Sequence, residues 1–102
     1  SLSGANLSYA DFAGALCENV DFSGAVLDGA VFTDSFLANA NFEGASLRNV
    51  DFTGSDLSNA SFRNAVFEST DFEIANCSGA DFTGVNLHEG VFPGANLENV
   101  KR

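Results

Sequence analysis

Positive charge is scarce in this sequence. Lys and Arg total four against fourteen Asp and Glu, for a formal net charge of −10 over 102 residues. A chain this poor in bases lacks the means to neutralise a phosphate backbone, so direct nucleic-acid binding is not expected. Long apolar runs are missing as well. None approaches the ~18 residues that a membrane-spanning helix needs, so no membrane partner is expected. No basic segment followed by an apolar one opens the chain, so no secretory leader is read. The chain starts at Ser1 rather than Met, which leaves upstream sequence open, with the cytoplasm as the default compartment. There is one His, His88, and no glycine-rich loop that leads into a helix. Proton-transfer and phosphate-cradling chemistry therefore have little to work with, and no enzyme, cofactor or metal is expected.

Apolar residues, by contrast, make up 45% of the chain, too many for disorder despite the charge. Their order is unusual. In NFEGASLRNVDFTGSDL, Asn41 to Leu57, a large apolar residue falls at Phe42, Leu47, Phe52 and Leu57. A helix repeats near 3.6 residues and a strand near two, and a period of five fits neither. Counting in fives from Leu2 to Leu97 meets only Leu, Phe or Cys at twenty successive centres, without insertion. Two places before the centres from Leu7 on, the column is Ala at twelve positions and Val at three, with Ser35, Ser55, Thr70 and Gly90 completing it, and Val100 continues it past Leu97. Two places after, Gly occurs nine times and Asn six. Unbroken self-similarity of this kind marks a stacked repeat.

Each column has a physical reading. One large and one small inward residue per five describe a short side that ends in a corner. A four-residue turn beginning at the centre puts the Gly/Asn column third, where a type II turn needs positive φ. The centres mostly alternate Phe and Leu, so each coil holds an even number of sides, and four fits. Phe22, Phe42, Phe62 and Phe82 then stack on one wall. Phe12, Phe32, Phe52, Phe72 and Phe92 stack on the opposite wall. Leu7, Leu27, Leu47 and Leu87 form a third, interrupted by Phe67. Cys17, Leu37, Leu57, Cys77 and Leu97 form the fourth. Residues twenty apart become vertical neighbours. Asp28, Arg48, Glu68 and His88 form a charge ladder, Glu43 meets Arg63, and Asn19, Asn39 and Asn59 form an amide ladder.

The segments GANLS, YADFA, NANFE and GADFT resemble the A(D/N)LXX signature of pentapeptide-repeat proteins. The resemblance covers residues 1–102 as a single domain. It implies an all-β fold, a right-handed four-sided parallel β-helix of about five coils with no large loops, roughly 24 Å long at ~4.8 Å per coil. Some members of that family are DNA mimics that bind type II topoisomerases, so the resemblance implies gyrase as one candidate partner. The Asp column is a consensus feature of that family, so the resemblance implies a structural role for it here.

Candidate sites follow from the four-sided coil. The wall carrying Asp11, Asp34, Asp51, Asp71 and Glu73 holds five acids and no base, and its neighbour with Glu18, Asp56 and Glu98 holds three and no base. Duplex DNA carries about 14 charges over a similar length, which makes charge mimicry worth testing. The leading expectation is a non-enzymatic scaffold whose acidic wall meets an unknown protein partner, and DNA mimicry is the alternative. Leu16 and Phe36 stack outside the core as a candidate apolar contact, and Val31 and Ile74 add apolar surface to the acidic wall. Asp51 and Asp71 with Asp34 and Glu73 supply oxygens, but not in a metal-loop spacing. Cys17 and Cys77 point inward three coils apart, too far for the ~7 Å reach of a disulfide. His88 belongs to the outer surface and Tyr9 to an exposed turn. No capping helix is visible, so Leu2, Leu7, Phe92 and Leu97 are expected to join two copies end to end, or to be covered by segments outside this sequence.

Overall fold

The computed structural model describes all 102 residues, Ser1–Arg102. The chain turns every five residues because the carbonyl at every centre but Phe67 accepts from the backbone N–H three residues on. Examples are Ala5 N to Leu2 O at 3.1 Å and Ala45 N to Phe42 O at 3.0 Å. The third turn position carries the positive φ that such a corner requires, at nine glycines and ten other residues. Glu89 alone in that column escapes it.

Every ladder pairs residues twenty apart and in parallel. Asn6 pairs with Val26, Val26 with Ser46, Asp51 with Asp71, and Asp81 with Lys101. Each inner coil bonds to both neighbours, as where Asn41 N donates to Val20 O at 3.0 Å and Phe42 N to Ser61 O at 2.7 Å. Of 67 backbone hydrogen bonds, 63 lie outside continuous strands or helices, so the β-helix is held coil to coil through single bridges between corners. Only β1 (Ser46–Arg48) with β2 (Val66–Glu68), and β3 (Thr70–Asp71) with β4 (Gly90–Val91), extend further.

The interior is aromatic. Phe22, Phe42, Phe62 and Phe82 stack at 5.0–5.1 Å with rings 3–4° from parallel. That separation matches the spacing of adjacent strands. Phe32, Phe52 and Phe72 stack opposite at 5.0–5.2 Å. The two columns meet edge-to-face across the middle, Phe42 to Phe52 at 5.6 Å and 79°. The walls are named below by their central members Phe42, Leu47, Phe52 and Leu57. Small residues at Ala25, Ala45, Ala60 and Ala80 close the inner corners, with exposures of 0–1%.

Phe67 is the largest member of the Leu47 wall, and the backbone around it adjusts. Thr70 takes the small-residue slot, and its Oγ1 donates to Leu47 O at 2.7 Å while accepting from Glu68 N at 3.2 Å. One coil on, the corner becomes a short 3-10 turn, Leu87–Glu89, capped where Asn86 Oδ1 accepts from His88 N at 3.2 Å. A Cβ at Gly90 would stand 2.7 Å from the Phe92 ring and 3.4 Å from the Phe67 ring, which explains glycine where Ala or Val is usual. Ile74 is a second irregularity. It holds φ +51, a left-handed conformation that costs a β-branched residue about 1–2 kcal/mol.

Three expectations are corrected. Phe12 and Phe92 are only half-buried, because as end coils they have one stacking partner each, Phe32 and Phe72 at 4.8 Å. Asn19, Asn39 and Asn59 lie in register at positive-φ corners, but no hydrogen bond joins their amides, and Asn59 Oδ1 lies over Gly79, the next residue of the column. The body measures 30 × 26 × 23 Å, so the coil expected to be roughly 24 Å long is about as wide as it is long, a squat block rather than a rod.

Candidate functional site

Outside the core, the walls differ sharply in charge. Arg48 stands on the Leu47 wall between Asp28 and Glu68, with Nε 3.3 Å from Glu68 and Nη1 3.9 Å from Asp28. His88 is exposed one coil beyond, at the 3-10 corner, and extends no ion pair. On the Phe42 wall, Arg63 bonds Asp81 at 3.2 Å, so the expected pairing with Glu43 does not form. Asp81 wins because it already stands fixed beside Arg63, its other oxygen accepting from Thr83 Oγ1 at 2.6 Å and Thr83 N at 2.9 Å. Those Thr83 bonds, with Arg63 behind them, lower the Asp81 carboxyl from 3.8 to about 2. A depressed pKa contributes stability that is fully present above about pH 4 and is lost as pH falls towards 2. The acid limb of a stability-against-pH curve is therefore expected to flatten in Asp81→Asn, as read by thermal unfolding between pH 5 and 2.

All three ion pairs sit on those two walls. The other two carry acids alone. On the Phe52 wall the outward ladder runs Asp11, Val31, Asp51, Asp71, Val91. Asp11, Asp34 and Glu73 are exposed, and Asp51 and Asp71 are half-buried. The Asp side chains have local work: Asp11 accepts from Ala13 N at 2.9 Å, Asp51 from Thr53 N at 2.8 Å and Asp71 from Glu73 N at 2.9 Å. Asn41, Asn76 and Asn96 do the same at equivalent slots, at 2.9–3.1 Å. The turn thus uses an acceptor where one is offered and does not require a charge, and Val31 and Val91 fill the same slot with neither. On the Leu57 wall the ladder runs Leu16, Phe36, Asp56, Asn76, Asn96, with Leu16 77% and Phe36 46% exposed.

Other sequence candidates occupy the expected places. Tyr9 is 83% exposed and lies across Gly29. Val31 is half-buried in its ladder. Cys17 and Cys77 are buried free thiols, and burial pushes Cys77 up to about 12, so it stays neutral and unreactive. Half-buried Leu2 and Leu7 lie at one end, and Phe92 and Leu97 at the other. There they line an open recess of about 140 Å³ with Phe82, Leu87, Val100 and Arg102. No three acidic, His or Cys side chains converge as a metal site would need, and no helix is long and apolar enough to cross a membrane.

The pentapeptide-repeat family model matches eight copies, over residues 1–37, 25–64, 37–73 and 60–99. The chain belongs to the pentapeptide-repeat family. Its solved relatives imply a right-handed β-helix. The chain is 31% identical to a pentapeptide-repeat protein of the Arabidopsis thaliana thylakoid lumen, with TM-score 0.80, covering 96% of this chain and 65% of that one. It is 25% identical to a trypsin-treated form of QnrB1, a plasmid-mediated fluoroquinolone resistance protein, with TM-score 0.85, covering 95% of this chain and 55% of that one. Rfr23 of the cyanobacterium Cyanothece 51142 shares the fold at 24% identity and TM-score 0.73, over 96% of this chain and 88% of its own. The chain therefore spans less than two thirds of the length of the thylakoid protein and of QnrB1. No curated protein matches it by sequence.

Proposed function

We propose that this four-sided, roughly five-coil β-helix is a non-enzymatic scaffold that binds a protein partner through its acidic Phe52 and Leu57 walls. The observation that carries the reading is segregation of charge. Every base in an ion pair lies on the other two walls, and eight acids on these two have no base among them. Interspersed charges would serve solubility equally well. Two adjacent walls of one sign instead build a field that steers a basic partner and orients it. Immobilised protein is expected to retain a partner from cell extract at low salt and release it at moderate salt. A variant with Asp11, Asp34, Asp51 and Asp71 changed to Asn and Glu73 to Gln is expected to lose that partner. Equal retention by both would sink the acidic-wall reading.

A second reading rests on the likeness to QnrB1, the fluoroquinolone resistance protein. On it the same walls imitate duplex DNA and occupy a type II topoisomerase such as gyrase. A body 23–30 Å across with ten net negative charges is comparable with duplex DNA, at about one charge per 1.7 Å. A gyrase supercoiling assay separates the two. Inhibition that vanishes with salt and with Asp51→Asn/Asp71→Asn supports mimicry, and no effect at large molar excess leaves the scaffold.

A further inference from the structure

We infer that the edge between the two acidic walls is the docking site, and that its occupant is a protein segment in which apolar residues bracket basic ones. This rests on the acidic-wall reading and adds the partner's chemistry. Leu16 and Phe36 fill successive outward slots of the same ladder, paired in register. No other ladder places two large apolar side chains in succession on the outside. Along the corner beside them the residues run Gly14, Asp34, Gly54, Ile74, Gly94, so Ile74 stands two coils beyond Phe36, with its Cγ2 towards Gly94. Ile74 is 62% exposed. Between the apolar ends lie Asp34 and Asp56, with Glu18 and Glu73 at the flanks and no base on either wall.

Ile74 supplies an independent argument. Fifteen of the nineteen positive-φ corners are Gly or Asn, Tyr9, Asp34 and Ser69 fill three more, and Ile74 is the one β-branched residue among them. A β-branched residue there strains the backbone and buries little, so the fold gains nothing from its identity. Strain retained at an exposed position is the mark of a residue kept for contact. The charge fixes what it contacts. An apolar edge set among unpaired carboxylates excludes an acidic partner and favours Lys or Arg between the apolar groups. From the level of Leu16 to that of Ile74 is three coil spacings, about 14 Å, the reach of four or five residues of extended chain.

The test uses the whole chain and three fluorescent synthetic peptides: lysines bracketed by leucines, lysines bracketed by serines, and glutamates bracketed by leucines. Anisotropy is expected to show the Lys/Leu peptide binding at least about tenfold more tightly than either of the others. Leu16→Ser with Phe36→Ser is expected to weaken it at least about tenfold, while Val26→Ser with Val66→Ser on the Leu47 wall leaves it unchanged. Ile74→Gly is the discriminating variant, expected to weaken binding several-fold and to raise the unfolding temperature by a few degrees. A structural residue would lower that temperature. Equal affinity for the Lys/Ser peptide, or indifference to Leu16→Ser/Phe36→Ser, overturns the edge and leaves the acidic walls standing. So does failure of the Lys/Leu peptide to bind at low salt while the wall-dependent partner is still retained from extract. Loss of that partner's wall dependence overturns the broader reading and this one together.

Discussion

Phe52→Ala is expected to cost about 3–5 kcal/mol, a large share of the roughly 5–15 kcal/mol that stabilises a domain this size. Phe52 is fully buried in the middle coil, stacked at 5.2 Å on Phe32 and 5.0 Å on Phe72. Its edges meet Phe42 and Phe62 of the opposite wall at 5.6 and 5.8 Å. Backbone bonds above and below fix the coil spacing, so the walls cannot collapse into the gap and the cavity persists. Position matters more than size. In a stack that communicates only between neighbours, a void in the central coil uncouples the two halves, whereas one at an end frays a single coil. Leu2→Ala, at a half-buried end, is the control and is expected to cost about 1 kcal/mol. Chemical denaturation of both variants checks the order, and equal losses would count against a cooperative aromatic spine.

Neutralising the acidic wall is expected to have the opposite profile, a large effect on binding and almost none on folding. Asn at Asp11, Asp51 and Asp71 keeps the acceptor that the turn uses, since Asn41, Asn76 and Asn96 already serve at 2.9–3.1 Å. Unfolding temperature should stay within a few degrees of native. Affinity for a basic partner should fall at least tenfold at low salt and converge with native as the screening length shrinks below about 10 Å. A variant that unfolds would show that the charges are structural. One that folds and binds like native would show that they only keep the protein soluble.

The contrast between these variants follows from how the sequence encodes the molecule. Twenty centres at a strict period of five made the coil legible, because each must point inward and each coil must stack. The ladder of Asp28, Arg48 and Glu68 was readable for the same reason. What periodicity could not supply was the competition among side chains at a corner. Arg63 chose Asp81 over Glu43 because Thr83 had already fixed that carboxylate, a local arrangement that spacing does not carry. The 3-10 corner at Leu87–Glu89 was hidden likewise, although Phe67 in a leucine column and Gly90 in an alanine column were its visible signs. The role of Asp11, Asp51 and Asp71 as turn acceptors was also signalled, by Asn replacing Asp at equivalent slots. Ile74 could be read from sequence as an apolar outlier in the positive-φ column, and what the period did not carry was that its side chain stays exposed.

Mapping by amide chemical shifts tests the central claim most directly. Isotope-labelled protein is titrated with the Lys/Leu peptide at low salt, and every perturbed amide is placed on its wall. The account predicts shifts concentrated at Asp11, Leu16, Asp34, Phe36, Asp51, Asp56, Asp71, Glu73 and Ile74, with Arg48, Arg63 and the opposite walls quiet. Shifts centred on the arginine-bearing walls, or on the open end around Phe92 and Leu97, would contradict it.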